Sequence, residues 1–266
     1  MSKTRRGFYE AYHQEAPSHP IEILKQRRRM EVLAGLLPDQ VGSVLVIGCG
    51  RGEELEVFRG RVTAIDWSLT GLAVAREHRS EPMLSQADAC HLPFRSGIFD
   101  TVICSEVIEH IPAAEKALSE MARVLRPAGR LVLSTPNYWS LFGLARILGE
   151  AVTGKPHTSG DQPYDRWTTP PALMGLLENH FEKTRSAGAW YFPPFGRGDR
   201  QISARLTVPL VRLCRPLDRF SSRAMPWLGH LIFVTATRRR PARHSDQGAV
   251  LDRRPDRRPG PAEPSR

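Results

Sequence analysis

Gly48-Cys49-Gly50-Arg51-Gly52 follows directly on the apolar run Val44-Leu45-Val46-Ile47, and Asp66 lies fourteen residues beyond Gly52, ending a second apolar stretch, RVTAID. A buried parallel strand that ends in a glycine turn, then a helix, then an acid at the tip of the next strand, is the entry to a nucleotide-type pocket. The acid can accept two hydrogen bonds from vicinal ribose hydroxyls. A dinucleotide fingerprint, G-x-G-x-x-G, needs its third glycine at position 53. Here that position is Glu53, the third glycine is Gly52, and no phosphate-binding lysine accompanies them. Alone, the glycines also fit a tight strand-to-helix turn with no ligand.

Further chemistry-bearing residues follow in order. Asp88 and Ala89 sit in QADACHLPFRSGIFD, residues 86–100. Ser105, Glu106, Glu109 and His110 sit in ICSEVIEHI, residues 103–111. A helical turn beginning here would place positions 106, 109 and 110 on one face. A histidine near neutral pKa suits deprotonation of a hydroxyl or an acidic carbon, with simple packing or capping as the alternative. VLRPAGRLVLSTPN, residues 124–137, reads as helix end, turn and strand.

Five motifs in this order and spacing resemble the class I S-adenosylmethionine-dependent methyltransferases, most closely the branch containing ubiquinone and menaquinone biosynthesis enzymes. The resemblance covers roughly residues 40–137, with weaker support to 237. It implies an α/β fold: a Rossmann-like seven-stranded, mostly parallel sheet with helices on both faces, its last strand antiparallel and slotted between the fifth and sixth. It implies S-adenosyl-L-methionine as cofactor. Gly48, Cys49, Gly50 and Gly52 then allow close backbone approach to the methionine and ribose, and Asp66 receives the ribose while Trp67 covers the adenine face. Asp88 hydrogen-bonds the adenine amino group and the Ala89 amide meets a ring nitrogen. Ser105 and Glu106 lie at the methionine end, and His110 looks toward the acceptor as its base. Phe94, Phe99 and Asp100 are structural. Asn137, Tyr138 and Trp139 are candidate acceptor contacts, because ligands of open α/β sheets bind beyond the carboxyl ends of the strands.

The elements needed to hold these residues are legible as alternating apolar runs and helical patterns. Strands are expected at 43–47, 61–66, 83–87, 101–104, 130–134, 183–191 and 231–237, and helices at 53–58, 70–77, 114–125 and 169–181. Ser68 and Thr169 are the expected helix caps, with Pro112 and Pro170 placed to open helices. An N-terminal helical cap (1–36) precedes a methyltransferase domain (37–237) that includes a variable segment at 194–229. In the cap, Phe8, Tyr9 and Tyr12 could close over the pocket, and Arg27 or Arg28 could meet the cofactor carboxylate. In the variable segment, Ile202, Leu206, Leu210, Val211 and Leu213 could form one apolar face, with Pro209 kinking or breaking the helix.

The 266 residues suffice for one α/β domain with extensions. Cys49, Cys90, Cys104 and Cys214 show no CxxC spacing, which points to reduced thiols in a cytoplasmic protein and to no metal. No apolar run approaches the roughly 20 residues of a membrane span, and the N-terminus lacks a secretory pattern. The net charge of +10 is concentrated at the ends: +4 in residues 1–30 and +5 in residues 238–266. The Pro/Arg/Gly-rich segment 238–266 is expected to be disordered. Basic flanks suit RNA or an anionic membrane surface, but 33 arginines against 5 lysines also fit simple codon bias. No [DN]PP[YFW] tetrapeptide and no Pro-Cys dipeptide marks a DNA methylase. The expected acceptor is therefore a small or lipid-like molecule, methylated on oxygen or carbon, with peripheral membrane contact allowed. A tRNA-type acceptor and a non-catalytic binding protein are the alternatives.

Overall fold

The computed structural model describes residues 5–15, 20–58, 60–78, 81–154, 163–191 and 204–239. In chain order its strands are β1 (Val44–Ile47), β2 (Val62–Asp66), β3 (Met83–Gln86), β4 (Phe99–Ser105), β5 (Leu125–Pro136), β6 (Phe181–Ala189) and β7 (Leu231–Arg238). Its α-helices are α1 (Arg5–Tyr12), α2 (Pro20–Leu36), α3 (Leu69–His78), α4 (Ala114–Val124), α5 (Leu141–Thr153), α6 (Pro170–Glu178) and α7 (Ala204–Ala224). The strands form one sheet in the order β3-β2-β1-β4-β5-β7-β6. β7 runs antiparallel to both neighbours, and the remaining pairings are parallel.

Alternation along the strands divides the core in two. Leu45, Ile47, Val102, Cys104, Leu131 and Leu133 face α4 and α6, where Leu118, Met121, Leu173 and Leu177 are buried. Val44, Val46, Ala64, Ile103 and Val132 face the opposite way, against Leu33 of α2, Leu72 and Ala75 of α3 and Val211 of α7. Near-continuous apolar strands such as Val44–Ile47 follow from burial on both faces.

Local chemistry sets the helix starts. The Ser68 hydroxyl accepts from Gly71 N at 3.0 Å before α3, and Thr169 caps α6 with Pro170 as its first residue. Asp100 Oδ2 accepts from both the amide and the hydroxyl of Ser43 at 2.8 Å, pinning β4 to the start of β1.

Several expectations need correction. Residues Glu53–Val57 form a 3₁₀ turn rather than an α-helix, because Gly52 N bonds Cys49 O, Leu55 N bonds Gly52 O, and Phe58 is already extended. β5 begins at Leu125, inside the expected helix, with Ala128 at φ 62° and a register shift opposite Phe99–Thr101. Helix α5 was not expected; its signals were the cap at Ser140 and apolar residues at 141, 144, 148 and 152. The segment α7 is one helix through Pro209 and Pro216. The expected single face does not include Val211, which is buried, whereas Leu210 and Leu213 are exposed. Ile202, the side chain of Leu206, and the basic tail from residue 240 onward lie outside the described residues.

Candidate functional site

The C-terminal ends of β3, β2, β1, β4 and β5 lie side by side, so the residues following them share one edge of the sheet. The glycine turn closes β1. Gly48, Gly50 and Gly52 hold φ of 69°, 51° and 89°, the left-handed region that favours glycine. A Cβ on Gly52 would stand 2.8 Å from the Ala75 Cβ, and one on Gly48 would collide with the Val107 side chain. Cys49, between them, is buried, and burial pushes its thiol pKa up.

Asp66 ends β2 and is buried. Its Oδ2 accepts from Gly50 N and its Oδ1 from Ser68 N, each at 2.8 Å. The carboxylate thus locks the glycine turn to the start of α3, and each oxygen retains a second lone pair. Trp67 is 38% exposed beside it. Asp88 Oδ1 accepts from Cys90 N at 2.8 Å and Oδ2 lies 3.3 Å from His91 Nδ1, with Ala89 buried alongside.

At the end of β4, Ser105 Oγ lies 2.9 Å from Ser134 Oγ, which also donates to Glu106 Oε1 at 3.1 Å. The expected helical turn from position 106 does not form. Glu106 is left-handed at φ 56°, Val107 is non-helical, and only Ile108–His110 make a short 3₁₀ turn. The two acids still share one environment. Burial, and then the charge of Glu109, push the Glu106 carboxyl up to about 8. Burial, and then the charge of Asp165, push Glu109 up to about 8 as well.

His110 is fixed by a carbonyl. Its Nδ1 lies 3.0 Å from the Tyr164 backbone oxygen. A carbonyl only accepts, so Nδ1 carries the proton of the neutral ring and Nε2 keeps its lone pair. Nε2 lies 3.8 Å from Glu109 Oε1, and the Tyr9 ring lies 6.1 Å from the imidazole.

Asn137 is not available to an acceptor. It is fully buried, Nδ2 donates to the carbonyls of Trp227 (2.7 Å) and Gly229 (2.9 Å), and Oδ1 accepts from Trp139 N (2.9 Å). Tyr138 packs on Trp167 at 5.7 Å. Trp139 is 53% exposed.

From the N-terminal cap, only Phe8, Tyr9, Tyr12 and one of Arg27 or Arg28 are expected from sequence; the contacts of Glu10, Arg29 and residues 164–167 are not. Glu10 of α1 accepts from Ser68 Oγ (2.8 Å), Thr70 N (2.9 Å) and Leu69 N (3.0 Å), holding α1 on the start of α3. Burial pushes its carboxyl up, but the Thr70 and Leu69 amides outweigh it and hold the pKa down at about 2. Arg51 Nη1 donates to the His13 carbonyl at 2.6 Å. Arg28 is taken by Asp218 at 2.6 Å and Arg27 lines a separate groove between α2 and α7. Arg29 is the arginine that reaches the site, 3.4 Å from Glu54 Oε1 and in the field of Glu106. Buried Arg146 pairs with Asp165, whose side chain is shielded from solvent, at 3.2 Å and lies 4.5 Å from the Trp167 ring centre. These links join residues up to 190 apart, and no local spacing announces them.

S-adenosylmethionine brings a ribose, an ammonium, a carboxylate and a sulfonium, and the donor set suits it. Buried Tyr9 Oη and Arg29 Nε have no hydrogen-bond partner, although buried polar groups are normally satisfied. Tyr9 feels the charges of both Asp66 and Glu109, and Arg29 those of Glu54 and Glu106. A polar ligand along this edge would satisfy both. Among the described residues, no group of three His, Cys, Asp or Glu could hold a metal ion, and no helix is long and apolar enough to cross a membrane.

A sheet in this order, with an antiparallel seventh strand, a glycine turn after β1 and an acid after β2, defines the class I methyltransferase fold. A family model described as "Methyltransferase domain" matches residues 45–133. A relative named ubiquinone biosynthesis O-methyltransferase, from Xanthomonas oryzae pv. oryzae, is 30% identical over 204 residues, covering 73% of this chain and 84% of its own. Among solved structures, an S-adenosylmethionine-dependent methyltransferase from Thermotoga maritima superposes with a TM-score of 0.59 at 17% identity, over 80% of this chain and 89% of that one. The N-methyltransferase NodS of Bradyrhizobium japonicum, in complex with S-adenosylhomocysteine, gives 0.55 at 13% identity, over 89% and 99% of the two chains. The chain belongs to the S-adenosylmethionine-dependent methyltransferases.

Proposed function

We propose that this methyltransferase binds S-adenosylmethionine along the β1–β4 edge and methylates a hydroxyl of a small, lipid-like acceptor that it meets at a membrane surface. The bound cofactor supplies an activated methyl group on a sulfonium. The chain's residues align and deprotonate. Gly48, Cys49, Gly50 and Gly52 let the backbone approach closely. Asp66 accepts from the ribose hydroxyls through its remaining lone pairs, Trp67 covers the base, and Asp88 and Ala89 read its edge. Arg29 pairs with the carboxylate, while Ser105 and Glu106 receive the amino group.

The observation that carries O-methylation is the 3.0 Å contact of His110 Nδ1 with the Tyr164 carbonyl, which places the ring proton on Nδ1 and leaves Nε2 as an acceptor. A base at this position serves an acceptor that carries a proton into the transition state, as a hydroxyl does. Closure by α1 aligns the reactants and removes water. The name of the Xanthomonas relative supports the same acceptor class. An apolar acceptor is further supported by α5, which begins at the site rim with Leu141, Leu144 and Leu148 exposed.

The test is transfer of a labelled methyl from S-adenosylmethionine to catechols and hydroquinones with apolar side chains, beside amines and bulk tRNA. Transfer to the hydroxyl compounds is expected. Label appearing only in amines or tRNA would overturn the reading.

A further inference from the structure

Helix α7 presents two different rows of side chains to solvent. Leu210, Leu213, Leu217 and Phe220 recur at helical spacing and are all exposed, Leu213 by 77% and Phe220 by 69%. Soluble proteins expose single apolar residues routinely, but an aligned row marks a contact surface. Beside it runs a second row, Arg212, Arg219 and Arg223, also exposed. The helix has one acid, Asp218, and it is buried and paired with Arg28 at 2.6 Å. Glu31 of α2 pairs with Arg215 and Arg219, whose side chains stay more than half exposed, while among the described residues Arg212 and Arg223 form no ion pair with it.

Resting on the lipid-like acceptor proposed above, we infer that α7 is a membrane-docking helix that lies flat on an anionic bilayer. The apolar row enters the headgroup boundary and the arginines meet lipid phosphates, the division of labour of an interfacial helix. Its 21 residues extend roughly 30 Å. The complementary charge favours an anionic bilayer over a second copy of a chain whose net charge is +10. Docking also serves the site. α7 ends at Ala224, and after the Pro226–Leu228 turn the chain enters β7 at Leu231, opposite Pro136 of β5. The helix thus ends at the rim where the acceptor arrives.

Co-sedimentation of the full chain with vesicles of phosphatidylcholine, alone or with phosphatidylglycerol, tests this. Binding to the anionic vesicles is expected, falling by about tenfold or more in Leu213→Glu/Phe220→Glu. A neutral pair, Leu213→Gln/Phe220→Gln, should show an intermediate loss. Both residues are exposed and outside the site, so affinity for S-adenosylhomocysteine should stay at the wild-type value. The inference is overturned by wild type that ignores anionic vesicles, by variants that bind as wild type does, or by binding that vanishes only when residues 240–266 are removed. A wild-type dimer dispersed by the same substitutions, without vesicle binding, assigns the row to a second copy and overturns it too. Vesicle binding without methylation of any lipid-like acceptor keeps the docking helix and removes the acceptor.

Discussion

The carbonyl oxygen of Tyr164 lies 3.0 Å from Nδ1 of His110 and fixes which nitrogen of the ring is basic. The two residues are 54 positions apart, so the imidazole proposed as the base is oriented by a segment that contributes no recognisable motif. His110→Gln should lower methyl transfer by about 10²–10⁴-fold, the usual worth of a positioned general base. Affinity for S-adenosylhomocysteine, measured by calorimetry, should not change. Turnover within a few-fold of wild type would remove His110 from the chemistry.

Asp66→Ala should weaken S-adenosylhomocysteine binding by roughly tenfold to over a hundredfold, since hydrogen bonds to a charged group contribute about 1.5–3 kcal/mol. The carboxylate also holds Gly50 N and Ser68 N. Asp66→Asn, which keeps one acceptor oxygen, should therefore recover more thermal stability than affinity. Calorimetry and thermal unfolding on the same samples separate the two roles.

Gly52→Ala combines φ of 89° with a Cβ that would stand 2.8 Å from Ala75 Cβ and 3.0 Å from its Cα. A strained left-handed residue costs about 1–3 kcal/mol, and Tm falls about 2–4 °C per kcal/mol in a chain of this size. A drop of several degrees is expected by calorimetric scanning. An unchanged Tm would show that α3 can retreat freely from the turn.

Glu106 and Glu109 give the fold a pH dependence of definite sign. Their carboxyls ordinarily titrate near 4.5, and burial raises both to about 8 in the folded protein. Between those values the folded state holds more protons than the unfolded one. Stability is therefore greatest toward the acid side of that window and declines as pH rises through about 8. Glu109→Gln should flatten the decline, seen as a smaller fall in Tm between pH 5 and pH 8. A variant with the wild-type slope would locate the effect elsewhere.

Glu10 titrates with the opposite sign. Its folded value of about 2 lies below the ordinary 4.5, so the contribution of its contacts is full above that value and fades as pH drops toward 2. Glu10→Ala should loosen α1 at neutral pH. Hydrogen exchange over residues 5–13 should accelerate, and S-adenosylhomocysteine should dissociate faster. Protection equal to wild type would mean that Arg51 and the aromatic contacts hold the cap unaided.

The strands and glycine turn were legible because burial on both faces of a parallel sheet writes long apolar runs, and because positive φ demands glycine. Asp66 was legible from its place at a strand tip. Arg29 was not: three consecutive arginines offer no local signal for which one turns inward, and only packing of α2 against the Glu53–Val57 turn decides it. Asn137 misled because a polar residue beyond a strand end resembles a ligand contact, whereas here it ties β5 to the chain entering β7. Glu106 reached the site through a left-handed residue rather than the anticipated helical turn.

Among the described residues β7 is the last strand made, and it is bonded on both sides, to β5 and to β6. During synthesis, therefore, the five strands β1 to β5 emerge well before the strand that joins them to β6. Until Leu231–Arg238 leave the ribosome, β5 and β6 each keep an open edge able to pair with another chain. A nascent chain stalled before residue 231 would have its glycine turn and Asp66 in place but an unclosed sheet. Chaperones should engage it at that length and release it once β7 is inserted.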